Sequence, residues 1–333
     1  MPHAAVNGTN IHYHESGHGL PVVLLHGFPL DHRVWHKQVH DLSHVCRVIT
    51  PDLRGFGHST GGGSFTIASL ADDIYVLLSQ IHALPCVLGG LSMGGYVALE
   101  YERHNAATLR GLMLIDTRSG ADSPEGRAGR DVMIEVAKTQ GSVAIANKML
   151  PKMLAGGNVD EDSPVVRELK SIMDACPAQT IQYALAAMRD RIDYTPTLSR
   201  IAAPTLIVAG ESDVLTPPAQ SEEMHKAIDK FIRWRAICTM FSRVAFQHVA
   251  TNLVRPNSSK GIPHDTAYIF ADGCQCGLII LTAHLDATGW INRCIQTQLV
   301  GVTLREGNSF YPRMDLVQSF FATLNNDDMK VGI

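Results

Sequence analysis

From its N-terminus, the chain alternates short apolar runs with longer stretches in which apolar residues recur every three or four positions. Pro21-Val22-Val23-Leu24-Leu25 reads as a buried strand. Cys46-Arg47-Val48-Ile49-Thr50, Cys86-Val87-Leu88, Leu112-Met113-Leu114-Ile115 and Thr205-Leu206-Ile207-Val208-Ala209 are further runs of strand length. Ahead of them, Val6 to Tyr13 reads as two short strands joined by an Asn7-Gly8 hairpin turn. Ile67, Leu70, Ile74, Leu77, Leu78 and Ile81 fall at helical spacing behind Thr66, a residue type that caps helices, and Tyr96 to Tyr101 reads as part of another helix. Strands alternating with helices predict an α/β architecture: a mostly parallel sheet covered on both faces. In such sheets ligands bind at the carboxyl ends of the strands.

Between Arg118 and Tyr194 the pattern changes to helical stretches rich in Met, Ala and charge, punctuated by Pro124, Pro151, Pro164 and Pro177. This predicts a helical insertion between two strands. Met133, Met149, Met153, Met173 and Met188 are placed either to form an adaptable apolar surface over a pocket or to fill helix core. No internal repeat is evident, and Gly61-Gly62-Gly63 is too brief to be a domain linker.

With 333 residues, 45% hydrophobic and 18% charged, the chain is long enough to bury a substantial core. A net charge of -4 without a Lys/Arg run gives no basic footprint for nucleic acid. The first residues lack a charged segment followed by an apolar one, and no stretch has the length of a membrane span, so the expectation is a cytoplasmic protein without membrane or nucleic-acid partners. Seven cysteines, an odd number spread along the chain, argue against a disulfide framework. Cys274-Gln275-Cys276 with His284 matches no standard zinc spacing, so no metal is expected.

Candidate chemistry centres on Val87-Leu88-Gly89-Gly90-Leu91-Ser92-Met93-Gly94-Gly95-Tyr96, where a serine stands between glycines as an apolar strand runs into a helix. Gly-x-Ser-x-Gly in that context is the shape of a nucleophile elbow: Gly90 and Gly94 give room for a sharp turn that exposes the Ser92 hydroxyl. A serine needs a histidine to take its proton, and usually a carboxylate to orient that histidine. Asp213, just past the Thr205 to Ala209 run, is the first candidate for the acid; Asp116, behind Leu112 to Ile115, is the alternative, and Glu211 reads as a loop residue. An oxyanion hole needs two amides, and Met93, directly after the serine, supplies one. The second falls to Phe28 in His26-Gly27-Phe28-Pro29, with Gly27 letting the loop pass close to a substrate and His26 bracing it by hydrogen bonds.

These motifs, with Asp52-Leu53-Arg54-Gly55-Phe56-Gly57-His58-Ser59 and Gly210-Glu211-Ser212-Asp213, resemble the α/β-hydrolase family up to about Ile228. In particular they resemble its bacterial esterase, enol-lactonase and cofactor-free perhydrolase-like members. The resemblance implies an α/β-hydrolase core over 1–117 and 197–256, a helical cap over 118–196, and an atypical tail over 257–333. It assigns Asp52, Arg54 and Ser59 to shaping a loop near the entrance. It also implies a serine hydrolase of a small ester or lactone, without cofactor; perhydrolysis and C–C bond hydrolysis belong to the same class. A serine at the elbow argues against epoxide opening and halide removal, which use an aspartate there.

The family's histidine segment is matched by Phe246-Gln247-His248-Val249-Ala250, making His248 the candidate base, with His284 and His225 as rivals. Asp229 to Val244 contains Phe231-Ile232-Arg233-Trp234-Arg235, an unconvincing final strand. If an ancestral gene read Pro-Glu-Gln-Phe as CCC GAA CAG TTC, a frame one base late would encode Pro-Asn-Ser-Ser, and the chain has Pro256-Asn257-Ser258-Ser259. Two readings of the tail stand: an out-of-frame translation beyond about Leu253, or a C-terminal extension. A binding-only or impaired homologue is the alternative to an enzyme.

Overall fold

The computed structural model describes residues 2–154, 162–210 and 212–228, with the backbone of Phe231–Arg233, Arg235–Ile237, Ala250–Thr251 and Tyr268–Phe270. Its centre is a sheet built from β1 (His3–Val6), β2 (Thr9–Ser16), β3 (Pro21–Leu25), β4 (Arg47–Pro51), β5 (Cys86–Leu91), β6 (Leu109–Ile115), β7 (Thr205–Val208) and β8 (Phe231–Arg233). Their spatial order is β1-β2-β4-β3-β5-β6-β7-β8. The two β1/β2 and β2/β4 pairings are antiparallel and every later neighbour is parallel. The hairpin turn has positive φ at both Asn7 and Gly8, the conformation that an Asn-Gly pair adopts at little cost. The Phe231–Arg233 segment corrects the reading from sequence: it pairs in parallel with β7. Among the described strands it is the last in the sheet order.

Alternation along the parallel strands divides the core into two layers. Val23, Leu25, Ile49, Leu88, Leu112 and Leu114 belong to one buried cluster, while Val22, Leu24, Val48, Val87, Met113 and Ile115 belong to the other. Successive residues therefore face opposite sides, and both sides are dry. The second layer includes Val39 of α1 (His36–Leu42). The first is closed by α2 (Ile67–Gln80) and α3 (Met93–Asn105), through Leu70, Ile74, Leu77 and Val97. Thr66 caps α2 as expected. Its hydroxyl accepts from the Ser69 amide at 3.1 Å, and the Ser69 hydroxyl accepts from the Thr66 amide at 2.9 Å, a reciprocal capping box.

Among the described residues three α-helices lie between β6 and β7 in the chain: α4 (Pro124–Met153), α5 (Pro164–Ala175) and α6 (Ala178–Arg189). α4 starts with Ser123 as cap and Pro124 in its first turn, and it breaks at Gly141, where φ is +77°. α4 packs against both other helices. Met173 is fully buried, Met133 is packed against the core, and Met149, Met153 and Met188 line the cavity described below. Both uses foreseen for the methionines are thus realised, and Met153 and Met188 combine them as buried residues in the cavity wall. A final described helix, α7 (Pro218–Ala227), follows β7. Among the described residues no helix is long and apolar enough to cross a membrane, and Cys46, Cys86 and Cys176 are buried free thiols.

Candidate active site

β5 ends at Leu91 and α3 begins at Met93, leaving Ser92 alone in the turn with φ +51° and ψ -109°. That backbone conformation is costly for a residue with a side chain and persists only when its surroundings impose it. They do so from three directions. The Ser92 amide donates to the Ile115 carbonyl of β6 at 2.8 Å, the Thr117 hydroxyl donates to the Ser92 carbonyl at 2.8 Å, and the Gly95 amide donates to the same carbonyl at 2.9 Å. The glycines are sterically required. A Cβ on Gly90 would overlap the Gly94 carbonyl, one on Gly95 would overlap the Thr117 side chain, and one on Gly94 would sit 2.5 Å from the Leu25 carbonyl oxygen. Ser92 remains half-buried, in the wall of a cavity.

The loop after β3 approaches the same point. A Cβ on Gly27 would lie 3.4 Å from the Ser92 Cβ, so the loop passes the serine at near contact. His26 is fully buried; its Nε2 accepts from the Leu53 amide at 3.0 Å. The other ring nitrogen, Nδ1, must then carry the proton, which it donates to the Gly27 carbonyl at 2.9 Å. Burial pushes the His26 pKa down, against the pull of the Asp52 charge and the bond to Gly27, so the neutral ring is a fixed brace between two loops. Phe28 and Met93 both adjoin the serine, Phe28 in the cavity wall and Met93 in the first turn of α3, where amides lie outside the helix's own hydrogen-bond ladder.

Among the described residues two carboxylates line this cavity, beyond the carboxyl ends of β6 and β7. Asp213 is half-buried and held by its own loop: Oδ1 accepts from the Leu215 amide at 2.7 Å and the Thr216 amide at 3.0 Å, and Oδ2 accepts from the Thr216 hydroxyl at 2.6 Å. Asp116 is buried with φ +41°, and accepts from the Gly210 amide at 2.7 Å. Burial, reinforced by the Asp213 charge and only partly offset by the Gly210 amide, pushes its pKa up to about 7. His225 lies on α7 and is not among the cavity's lining residues. Glu211, His248, His284 and the Cys274–Cys276 pair lie outside the described residues, as does the tail from 271 to 333.

The cavity holds about 160 Å³ and combines apolar lining from Leu30, Leu91, Met149, Met153 and Met188 with charge from Arg118, Arg130 and Lys152. The arginines were not singled out by sequence reasoning. Their common partner is Asp122, 1% exposed, which accepts from Arg118, from Arg130 Nε at 2.8 Å and from Arg191 Nη1 at 2.8 Å. Arg191 is wholly buried and stacks on the Tyr96 ring, 4.1 Å from its centroid. The signal in the sequence was an acid followed eight positions later by Arg130 on a helix, but Arg191 joins from 69 positions away.

Asp52 anchors a second polar cluster, away from the cavity lining. Its carboxylate accepts from the ring Nδ1 of His32 at 2.7 Å and of His12 at 2.9 Å, and from the amides of His32 at 2.8 Å and His58 at 2.9 Å. Burial alone would raise its pKa; the bonds from His32 and the neighbouring rings hold it below the usual carboxylate range. Among the described residues, His12, His32 and Asp52 are close enough to hold a metal, but both Nδ1 atoms already point at the carboxylate and make it a loop anchor. Arg54 forks onto Asp73 at 2.6 and 2.8 Å, and the Ser59 hydroxyl donates to the Asp52 carbonyl at 2.6 Å. Asp52 and Ser59 thus hold the backbone around them, and Arg54 ties the loop to Asp73 of α2.

Comparison with known proteins agrees with this geometry. Residues 21–238 match the model of the alpha/beta hydrolase fold family. The AB hydrolase superfamily protein YisY of Bacillus subtilis is 31% identical over 224 residues, covering 64% of this chain and 81% of that protein. A thermophilic esterase from Thermogutta terrifontis, solved with malate bound, is 36% identical with a TM-score of 0.66, covering 70% of this chain and 87% of that one. The enol-lactonase from Burkholderia xenovorans LB400 is 27% identical with a TM-score of 0.68, covering 73% of this chain and 94% of that one. A strained serine at the end of the central strand, a glycine loop against it, acids in the loops that follow the next two strands and a family match across this whole region make the chain a member of the α/β-hydrolase fold family.

Proposed function

We propose that the protein is a serine hydrolase that cleaves a small carboxylic ester or lactone through an acyl-enzyme. The observation that carries this reading is the backbone of Ser92, held at φ +51° by contacts from β3, β6 and α3 with its side chain in a cavity wall. Such strain at an elbow is retained where an exposed nucleophile is needed. In the proposed reaction Ser92 attacks the carbonyl while His248 takes its proton, and Asp213 orients His248. The amides of Phe28 and Met93 hold the oxyanion, and His248 then returns the proton to the leaving alcohol. Water resolves the acyl-enzyme by the same path in reverse roles. Helices α4 to α6 act as the cap over 118–196, with Met149, Met153 and Met188 adapting to the acyl chain. The esterase and enol-lactonase named above support an ester or lactone as the substrate class.

A second reading, a ligand-binding homologue without turnover, has one observation behind it: the family match ends at 238, before His248. Hydrolysis of short-chain p-nitrophenyl esters by the purified protein and by Ser92→Ala distinguishes the two. The enzyme reading expects turnover in the parent and a loss of roughly 10⁴-fold or more in the variant. Equal rates would leave only the binding reading. With activity in hand, His248→Ala set beside His284→Ala assigns the base; loss in the second alone would move the role to His284.

A further inference from the structure

We infer that the cavity beside Ser92 carries a carboxylate-binding subsite formed by Arg118 and Arg130, and that the substrate is an ester or lactone bearing a carboxylate a few bonds from its scissile carbonyl. This rests on the proposed hydrolase reading and narrows its substrate. Three guanidiniums converge on one carboxylate, that of Asp122, so the group retains excess positive charge. Arg191 is fully buried and committed: it bonds Asp122, the Met188 carbonyl at 2.7 Å and the Gly120 carbonyl at 2.7 Å, and stacks on Tyr96. The other two line the cavity and remain about one-quarter and one-fifth exposed, at 24% and 21%.

Their donors are not used up. A guanidinium carries five N–H groups in a planar fork that fits a carboxylate edge. Arg118 bonds Asp122 through Nη2, and its Nε is buried with no hydrogen-bond partner among the described residues. Arg130 bonds Asp122 through Nε, leaving its two terminal nitrogens without a hydrogen bond among the described residues. A buried donor on a charged group is costly unless an acceptor meets it. Asp122 fixes both forks in place, so the cost of ordering them is met before a ligand arrives.

Their position sets the ligand's length. Ser92, Arg118 and Arg130 line one cavity of about 160 Å³. An anion on these guanidiniums therefore shares that confined space with the scissile carbonyl. Lys152 adds a third cation to the lining, while Asp116 and Asp213 bring the opposing charge at the strand ends. A carboxylate is thus attracted by the guanidiniums and repelled by the two acids.

Binding to Ser92→Ala, measured by calorimetry, reads the subsite without relying on turnover. The probes are monomethyl glutarate and its neutral counterpart methyl glutaramate, at low ionic strength. The expected result is at least tenfold tighter binding of the acid, with the margin shrinking as salt is raised. Arg118→Gln and Arg130→Gln should each cut the margin by about tenfold, and Arg130→Lys should restore part of it, since it returns charge without the fork. Equal binding of acid and amide by Ser92→Ala overturns the subsite, as does a margin that survives in both glutamine variants. Turnover by the parent protein, followed in a pH-stat, is judged separately: selective binding without turnover of either monomethyl glutarate or the p-nitrophenyl esters keeps the subsite and removes the hydrolase reading.

Discussion

The nucleophile and its proposed acid are held in opposite ways. Ser92 is fixed by partners drawn from across the sheet: the Ile115 carbonyl, the Thr117 hydroxyl and the packed glycines against the Leu25 and His26 carbonyls. Asp213 is fixed by residues two and three positions downstream, the Leu215 and Thr216 amides and the Thr216 hydroxyl. One side of the site depends on the assembled fold, the other on a local turn. Damage to the first should appear as lost stability, whereas damage to the second should appear as lost activity in a folded protein.

The sharpest contrast is between the two acids. Asp213→Asn should lower kcat by about 10³- to 10⁴-fold with little change in melting temperature, as expected when an orienting carboxylate is lost. Asp116→Asn, whose oxygen can still accept from the Gly210 amide, should lower it by less than about tenfold; the reverse ranking would transfer the role to Asp116. Gly94→Ala should cost about 1–3 kcal/mol or more in denaturant unfolding, since its Cβ meets backbone that cannot move aside. A fully stable Gly94→Ala protein would show that the elbow is looser than described.

Asp116 also makes a prediction about pH. Its pKa is raised from the ordinary carboxylate value to about 7, so the folded protein holds a proton there that the unfolded chain releases. Wild-type stability from this group is present below about pH 4 and is lost as pH rises towards 7. Asn cannot titrate, so the melting temperature of Asp116→Asn relative to wild type should rise between pH 5 and pH 8; a constant difference would show that Asp116 is ionised throughout. The smallest effect should come from Thr216→Val. It removes one hydroxyl bond to Asp213 and should cost about 1 kcal/mol and a few-fold in kcat/KM.

The same contrast explains what was legible in the sequence. Strand and helix periodicity located β3, α2 and the turn at Ser92, because apolar alternation, the Thr66 cap and the glycine pattern are local signals. The place of Asp213 just past β7 was legible for the same reason. The Asp122 cluster was not, because Arg191 reaches it from a separate helix end and only folding brings the three guanidiniums together. The β8 strand read as an unconvincing final strand because Arg233 breaks its apolar run, and its pairing with β7 is a contact that only folding makes. The partner of Ser92 placed by sequence at His248 falls outside the described residues, so its role rests on the variants proposed above.

The central claim is that Ser92 is an exposed, activated nucleophile. Incubating the protein with a fluorophosphonate and mapping the adduct by peptide mass spectrometry tests it most directly. The account predicts one adduct per chain, on Ser92, absent from Ser92→Ala and slowed in Asp213→Asn. An unmodified Ser92, or an adduct that persists in Ser92→Ala, would contradict it.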